Sequence, residues 1–219
     1  FNYYATLNFS YAKNTIVYKD EVTPNFPWMA ETGGSTGRNY GYRLDRFLKP
    51  DDFDADGNLI LGSFNADGVY EGIPSMSIGS PRPGDALFKD LNGDGKIDGN
   101  DKSWFGYGTR PEYVVGLVCG FNWKGWGLSM QWTGATHADR LLSGEYRAAF
   151  GTQNCRALLS YLSTERCCEE NGYEGRFPRL TFASKDHYML TSDVWMLDGS
   201  YLRLKTLSLS YRFDLTKKI

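Results

Sequence analysis

The chain has 219 residues with 24 basic and 26 acidic side chains, and this near-balance argues against nucleic acid as a partner, because phosphate binding needs clustered Lys and Arg. Hydrophobic residues make up 41% of the chain, which is enough for a folded core and argues against disorder. The longest apolar run falls far short of the ~20 residues of a membrane-spanning helix, which excludes a helical membrane protein.

Apolar and polar residues alternate at the start of the chain. Six apolar residues would share one face of a strand: Phe1, Tyr3, Ala5, Leu7, Phe9 and Tyr11. This pattern predicts a strand over residues 1–18. Residues 19–104 are instead punctuated by Gly, Pro, Asp and Asn. Because that stretch is too long for an ordinary connection, we expect local structure and a function within it.

Alternation returns in the second half of the chain. It runs from Tyr113 to Trp132 and is interrupted at Lys124-Gly125, which predicts a β-hairpin with a tight turn within residues 105–136. Residues 137–194 form a second long connection. The helical spacing of four residues in its central part indicates a short helix within 148–170: Ala157, Leu158, Tyr161 and Leu162.

A last strand is expected over Ser200 to Phe213, within residues 195–219, which would also include the start of a short periplasmic turn. The apolar residues of this strand alternate in one phase at Leu202 and Leu204 and in the opposite phase from Leu207 onward. A one-residue slip near Lys205-Thr206 would suit a β-bulge.

The order of these elements is strand, very long loop, strand, tight turn, strand, long loop and strand. Outer-membrane barrels have this asymmetry, with short periplasmic turns and longer extracellular loops, and a tilted spanning strand needs about 9–11 residues. A soluble β-sandwich with one solvated face would show the same alternation, so both interpretations stay open at this point. Since the chain begins and stops beside strands, we expect it to be part of something longer.

The sharpest local signal is a calcium-type loop over residues 90–101. The predicted ligands are Asp90, Asn92, Asp94, Lys96 through its backbone carbonyl, Asp98 and Asp101. Calcium takes six to eight oxygen ligands, and Gly95 permits the sharp turn that wraps them around the ion. The last ligand is Asp where the EF-hand pattern has Glu. We predict a structural calcium ion here, and an Asx-rich turn without an ion is the alternative.

A second acidic stretch covers residues 51–58. Its carboxylates also alternate, but it has no ligand at the twelfth position. We predict a solvated turn there rather than a metal site.

The cysteines are too few and too irregularly spaced for a disulfide scaffold, and no CxxC pair indicates a thiolate zinc site: Cys119, Cys155, Cys167 and Cys168. Cys119 is predicted to be a small buried or lipid-facing strand residue. A pairing of Cys155 with Cys167 or Cys168 is left open for an oxidising compartment.

Motifs for catalysis are weak. The two histidines, His137 and His187, lie in loop-like sequence outside any HExxH or nucleophile-elbow motif, so we predict that the chain is not an enzyme. Four aromatic residues in the long loops could stack on sugar rings, although each one alone fits packing better: Trp28, Tyr40, Tyr42 and Trp104. No substrate-binding residue can be assigned from the sequence.

Two longer motifs carry a family resemblance. The first runs from Pro83 to Asp98, followed by Asp101-Lys102 and by Phe121-Asn122-Trp123-Lys124-Gly125-Trp126, and the second runs from Asp198 to Tyr211. Their order and spacing resemble the C-terminal part of SusC/RagA-family TonB-dependent outer-membrane transporters. The resemblance covers at least residues 83–213, while the first 80 residues are similar only through a strand and Tyr40-Gly41-Tyr42.

The resemblance implies an all-β segment of a large antiparallel barrel in the cell outer membrane, with about four spanning strands in contact with lipid and with long extracellular loops. The whole transporter would have about 22 strands and an N-terminal plug. It would import glycans, oligosaccharides or peptides with a SusD-like surface lipoprotein, and TonB would engage the part missing here. The rival interpretation is a secreted calcium-dependent β-sandwich that binds carbohydrate.

Overall fold

The structure is a computed structural model that describes residues 1–77, 79–147, 150, 159–182, 187 and 189–213. Its strands in these residues are β1 Asn2–Tyr11, β2 Asn39–Gly41, β3 Leu44–Phe47, β4 Ser63–Phe64, β5 Tyr70–Glu71, β6 Ser75–Met76, β7 Ala86–Phe88, β8 Lys96–Ile97, β9 Ser103–Phe105, β10 Tyr113–Trp123, β11 Trp126–Thr136, β12 Asp139–Leu141, β13 Met196–Asp198 and β14 Tyr201–Tyr211. The predicted all-β fold is confirmed.

The helices are short. The α-helix α1 covers Ser160–Thr164, and 3-10 turns cover Pro27–Met29, Pro50–Asp52, Gly99–Asp101, Gly144–Tyr146, Glu169–Asn171 and Asp193–Trp195. The helix α1 lies inside the predicted helical stretch, of which residues 148, 149 and 151–158 are outside the described residues. In the described part of the chain, no helix is long and apolar enough to cross a membrane.

The four long strands form one antiparallel sheet in the order β1–β10–β11–β14. The predicted hairpin is confirmed: β10 and β11 are joined by Lys124 and Gly125, with φ values of 46° and 88°. Positive φ at both central residues is the conformation that matches the twist of a two-residue hairpin. The turn predicted after Phe213 falls on residues 214–219, outside the described residues.

The first strand is shorter than predicted. It ends at Tyr11 rather than near Tyr18, because its neighbour β10 begins opposite it, at Tyr113, and is preceded by Pro111, which has no N–H to donate. The chain then leaves the sheet, and the backbone of Ile16 exchanges hydrogen bonds of 2.8 Å with Gly33 and Gly34.

The two long connections pack together into one loop body. Its buried residues form a single core drawn from both connections: Tyr42, Ala86, Phe88, Ile97, Leu142, Leu162, Phe177, Val194 and Trp195. The backbone joins them as well, since the Tyr42 N–H donates to the Thr191 carbonyl at 2.9 Å and the Asp193 N–H donates to the Tyr42 carbonyl at 3.2 Å. The local structure predicted for the first connection is therefore present, but it is shared with the second.

The acidic stretch at residues 51–58 forms the exposed turn that the sequence predicts. The Asp54 carboxylate accepts hydrogen bonds from the backbone N–H groups of Asp56 and Asn58, at 3.0 and 2.8 Å. These bonds, led by the one from Asn58, hold the pKa of Asp54 below its usual value. The carboxylate thus orders its own turn.

Candidate functional site

The register of the long sheet gathers apolar residues from all four strands on one side, which we call the apolar face. Its members are Phe1, Tyr3, Ala5, Leu7, Phe9, Tyr11, Tyr113, Val115, Leu117, Cys119, Phe121, Trp123, Trp126, Leu128, Met130, Trp132, Leu202, Leu204, Leu207, Leu209 and Tyr211. They meet in rows across the strands; Leu7, for example, pairs with Leu117, which pairs with Trp132. The face is therefore continuous.

A bulge in β14 keeps this face continuous. Gln131 pairs with Thr206, and the next residue, Trp132, pairs with Leu204, so that Lys205 has no partner opposite it on β11. The extra residue absorbs the phase slip seen in the sequence and returns Leu202 and Leu204 to the side of Leu207. The predicted β-bulge is confirmed at Lys205.

The apolar face is not covered by any other described part of the chain. Leu7 and Phe9 on β1 are 67% and 66% exposed, and Leu207 and Leu209 on β14 are 60% and 66% exposed. A water-soluble protein rarely leaves an apolar surface of this extent bare. This face therefore requires contact with something apolar outside the described residues.

Aromatic rings lie at both ends of the apolar face. Tyr11 stacks on Tyr113 at a centroid distance of 4.6 Å where the loops leave the sheet, and Trp126 packs on Tyr211 at 4.8 Å beside the tight turn. From Tyr3 to Tyr11 the strand spans about 27 Å, which a membrane tilt would reduce to about 20 Å. An apolar band between aromatic girdles is the pattern of outer-membrane strands.

The opposite side of the sheet, which we call the polar face, carries mostly small and polar residues: Asn2, Thr6, Asn8, Ser10, Gly116, Gly120, Asn122, Gly127, Ser129, Gln131, Thr133, Arg203, Thr206, Ser208 and Ser210. Tyr4 is its large member on β1, and its ring lies against Gly120 of β10, where a Cβ would come within 2.6 Å of the Tyr4 Oη. The two faces thus have opposite chemistry.

The calcium-type loop is compact, and its acidic groups bind its own backbone. The Asp90 carboxylate accepts hydrogen bonds from the N–H groups of Gly93 and Gly95, at 2.6 and 2.7 Å. Asp94 accepts from the Lys96 N–H at 2.9 Å and from the Asn92 side chain at 3.0 Å. Four of the predicted ligands therefore shape this half of the loop.

The other half of the loop is closed by Asp101, which is fully buried. Its carboxylate accepts from the N–H groups of Leu91 and Asp98, each at 2.8 Å, while Asp98 itself accepts from the Asn100 N–H. Burial raises the pKa of Asp101, and the negative charge of Asp90 adds to the rise. Among the described residues, no three His, Cys, Asp or Glu side chains are grouped to hold a metal.

A cleft of about 580 Å³ opens in the loop body where β9 meets the first 3-10 turn. Two indole rings, of Trp28 and Trp104, and three cationic side chains, of Arg38, Arg43 and Lys89, line it. We call it the tryptophan cleft. Its volume lies in the range of small-ligand pockets.

Hydrogen bonds fix both indoles of the tryptophan cleft. Trp28 Nε1 donates to the Asn100 carbonyl at 2.9 Å, and Trp104 Nε1 donates to the Met29 carbonyl at 2.9 Å. The sequence indicates both tryptophans but not the cations, because Arg38, Arg43 and Lys89 come from separate segments without a shared motif. Tyr42 is instead buried in the core.

The two histidines serve packing. His187 is buried, and its Nε2 lies 2.7 Å from the Ala86 carbonyl, to which it donates. His137 stacks on Tyr107 at 4.3 Å, and its Nδ1 lies 3.0 Å from a Glu112 carboxylate oxygen.

The cysteines that the structure describes are free. Cys119, Cys167 and Cys168 are unpaired thiols. Cys155, the partner in the disulfide that the sequence leaves open, lies outside the described residues. Cys119 lies on the apolar face and is partly buried there.

No protein-family model matches the sequence, and no curated protein matches it either. Solved structures match the chain by their fold. The structure of the RagAB peptide transporter is 18% identical with a TM-score of 0.52, and that of the RagAB peptide importer in the "closed-closed" state is 19% identical with a TM-score of 0.51. Each match covers 96% of this chain and 20% of the other.

The chain has the fold of part of a RagAB transporter chain. It spans about a fifth of the length of those chains, and at this level of identity the likeness concerns the fold. The two similar structures are described as a peptide transporter and a peptide importer.

Proposed function

We propose that this chain forms a sector of the barrel wall, together with extracellular loops, of a TonB-dependent importer in the outer membrane. The observation that carries the proposal is the bare, continuous apolar face opposite a polar one. In a bilayer the apolar face would contact lipid, and the polar face would line a wet lumen. The likeness to RagAB transporter chains supports the same placement.

The sheet also needs neighbours. Among the strands that the structure describes, the outermost ones, β1 and β14, each have one hydrogen-bonded neighbour in the sheet. An unpaired strand edge cannot face hydrocarbon, and it promotes aggregation in water. We expect strands from the rest of the protein to pair with both edges, so that this segment alone would not transport anything.

For the cargo and partners, we propose peptides and a SusD-like surface lipoprotein. Peptides are favoured over glycans because the similar structures are described as a peptide transporter and a peptide importer. The lipoprotein and the energy supply through TonB come from the family resemblance of the motifs at residues 83–102 and 198–211. The part of the protein that contacts TonB would lie outside this chain.

The test uses the full-length protein in its source cells. We expect it in the outer-membrane fraction, co-purifying with a surface lipoprotein after gentle detergent extraction, and we expect its deletion to abolish uptake of labelled oligopeptides. Recovery of the protein in a soluble fraction, with peptide uptake unchanged after deletion, would contradict the proposal.

We further propose that the loop at residues 90–101 binds a structural calcium ion. The spacing of its oxygen side chains supports this, as does the loop shape, since positive φ values of 72° at Gly93 and 78° at Gly95 wrap the backbone around the Asp90 carboxylate.

Calorimetric titration of the full-length, chelator-treated protein with calcium tests this site. We expect Asp94→Asn to weaken binding at least about tenfold, because it removes one charge from the ligand set. Asp56→Asn, in the exposed turn at residues 51–58, should leave binding unchanged. If calcium gives no heat of binding with the wild-type protein, the loop is an Asx-rich turn without an ion.

A further inference from the structure

We propose that the tryptophan cleft binds a carboxylate group of the imported peptide. The inference rests on the proposed function and adds a specificity to it. Arg38, Arg43 and Lys89 line the cleft, whereas none of the described residues that line it carries a carboxylate. The cleft therefore presents net positive charge, which favours an anionic ligand group.

Two of the three cations have no anionic partner among the described residues. Arg38 donates only to backbone carbonyls, of Ser35 and Glu31, each at 3.3 Å. Lys89 is exposed, and its ammonium group makes no hydrogen bond or ion pair with the described residues. Both groups keep their hydrogen-bonding capacity for a ligand.

The third cation and two acidic groups near the cleft, Asp193 and Glu21, are already paired. Arg43 Nε donates to Asp193 at 2.8 Å, and the same carboxylate accepts from the Leu44 N–H. Glu21 accepts from the backbone N–H groups of Glu31 and Thr32. The charge of Arg43 is therefore partly neutralised and its side chain is fixed by Asp193. Arg38 and Lys89 are the groups that remain available to bind an anion.

The backbone leaves room for Arg38. A Cβ at Gly34 would overlap the Arg38 guanidinium group, so glycine at this position lets the side chain lie against the loop. The guanidinium carbon lies 5.8 Å from the centre of the Trp104 ring. A planar guanidinium group can accept a carboxylate in two parallel hydrogen bonds, and the adjacent indoles offer apolar surface to the rest of a peptide.

The experiment measures dissociation constants for the full-length transporter purified with its lipoprotein. The probes are an acidic hexapeptide containing Asp and Tyr, its amidated Asn-containing counterpart without a carboxylate, and trigalacturonate. We expect the acidic peptide to bind about tenfold more tightly than the neutral one, in line with one charge-assisted contact. Lys89→Ala and Gly34→Ala should each remove most of that preference, and Lys89→Arg should retain it.

Lys13→Ala is the matched control, because Lys13 is an exposed lysine outside the cleft. It should leave both dissociation constants unchanged. If the acidic preference is absent in the wild type, or survives both Lys89→Ala and Gly34→Ala, the carboxylate site is wrong while peptide import stands. Tighter binding of trigalacturonate than of the acidic peptide, lost in Lys89→Ala, would overturn the peptide as the source of the carboxylate. Failure to bind either peptide would instead overturn the proposed function.

Discussion

Arg179 and Asp85 form an ion pair that joins the two long connections across 94 residues of chain. Arg179 Nε lies 3.0 Å from one Asp85 oxygen, and Nη2 donates to the other at 3.3 Å. The Asp85 carboxylate is only 6% exposed. The loop body therefore depends on a nearly buried charge pair that neither connection could form alone.

We predict that Arg179→Ala lowers the opening free energy of the loop body by about 2–4 kcal/mol, because it leaves a nearly buried carboxylate without its cation. Hydrogen exchange of the Gly84 and Cys167 amides, which donate to Leu48 and Phe177 carbonyls, measures this opening. Arg176→Ala is the control, since the Arg176–Glu165 pair is long, at 4.0 Å, and about half exposed. Loss of the Arg176–Glu165 pair should lower the opening free energy by at most about 1 kcal/mol. Equal effects of the two variants would contradict the structural role of the Asp85 pair.

Deleting Lys205 should be tolerated. The deletion removes the unpaired bulge residue and lets β14 continue with the same side chains on each face. Deleting Gln131, in the facing strand β11, should instead prevent folding. Every β11 residue on one side of the deletion would then point to the opposite face of the sheet, out of register with both β10 and β14. The measurement is the folded yield of each full-length variant in the membrane fraction. A folded Gln131 deletion would contradict the register.

Gly120→Ala should destabilise the sheet by roughly 1–3 kcal/mol, because the new methyl group would collide with the Tyr4 ring and with the backbone. Gly116 lies on the same strand and the same face, and a Cβ there would meet nothing within 4 Å. Gly116→Ala should therefore be neutral or slightly stabilising. Urea unfolding of the detergent-extracted protein, followed by tryptophan fluorescence, compares the two. If both variants unfold at the same urea concentration, Tyr4 does not pack over Gly120.

Burial raises the pKa of the Cys167 thiol to about 11, so its protonated form is maintained in the folded state. At pH 8, Cys167 should resist iodoacetamide while the partly exposed Cys168 reacts. An unfolded thiol loses its proton near pH 9, so the contribution of Cys167 to stability should fall as the pH rises from about 9 to about 11. Urea unfolding at pH 8, 9 and 10.5 measures this fall, which Cys167→Ala should abolish. Equal alkylation of both thiols in the folded protein would contradict the burial of Cys167.

Much of the sheet could be predicted from the sequence, because alternation is a local signal that each strand carries by itself. The hairpin turn at Lys124-Gly125 and the phase slip at Lys205 are local for the same reason. The end of β1 was not predictable in this way. It depends on where the partner strand starts, after Pro111, about a hundred residues along the chain.

The loop body and the tryptophan cleft were largely beyond the sequence. The strands of the loop body have two to four residues each, too few for a periodic pattern. The contact of Tyr42 with Thr191 and that of Asp85 with Arg179 join distant segments that share no motif. The role of Lys89 in the cleft likewise appears only once the fold is known.

Two neighbouring positions of β14 in the full-length protein distinguish lipid contact from protein contact at the apolar face. In a background whose native cysteines are replaced by Ala, bimane would be attached to a cysteine in Leu207→Cys, on the apolar face, and in Ser208→Cys, on the polar face. Each variant would be reconstituted in vesicles with brominated lipid tails. We predict strong quenching at position 207 and little at position 208. Equal, weak quenching at both positions would mean that the apolar face meets protein rather than lipid, as in a soluble sandwich, and would contradict the account.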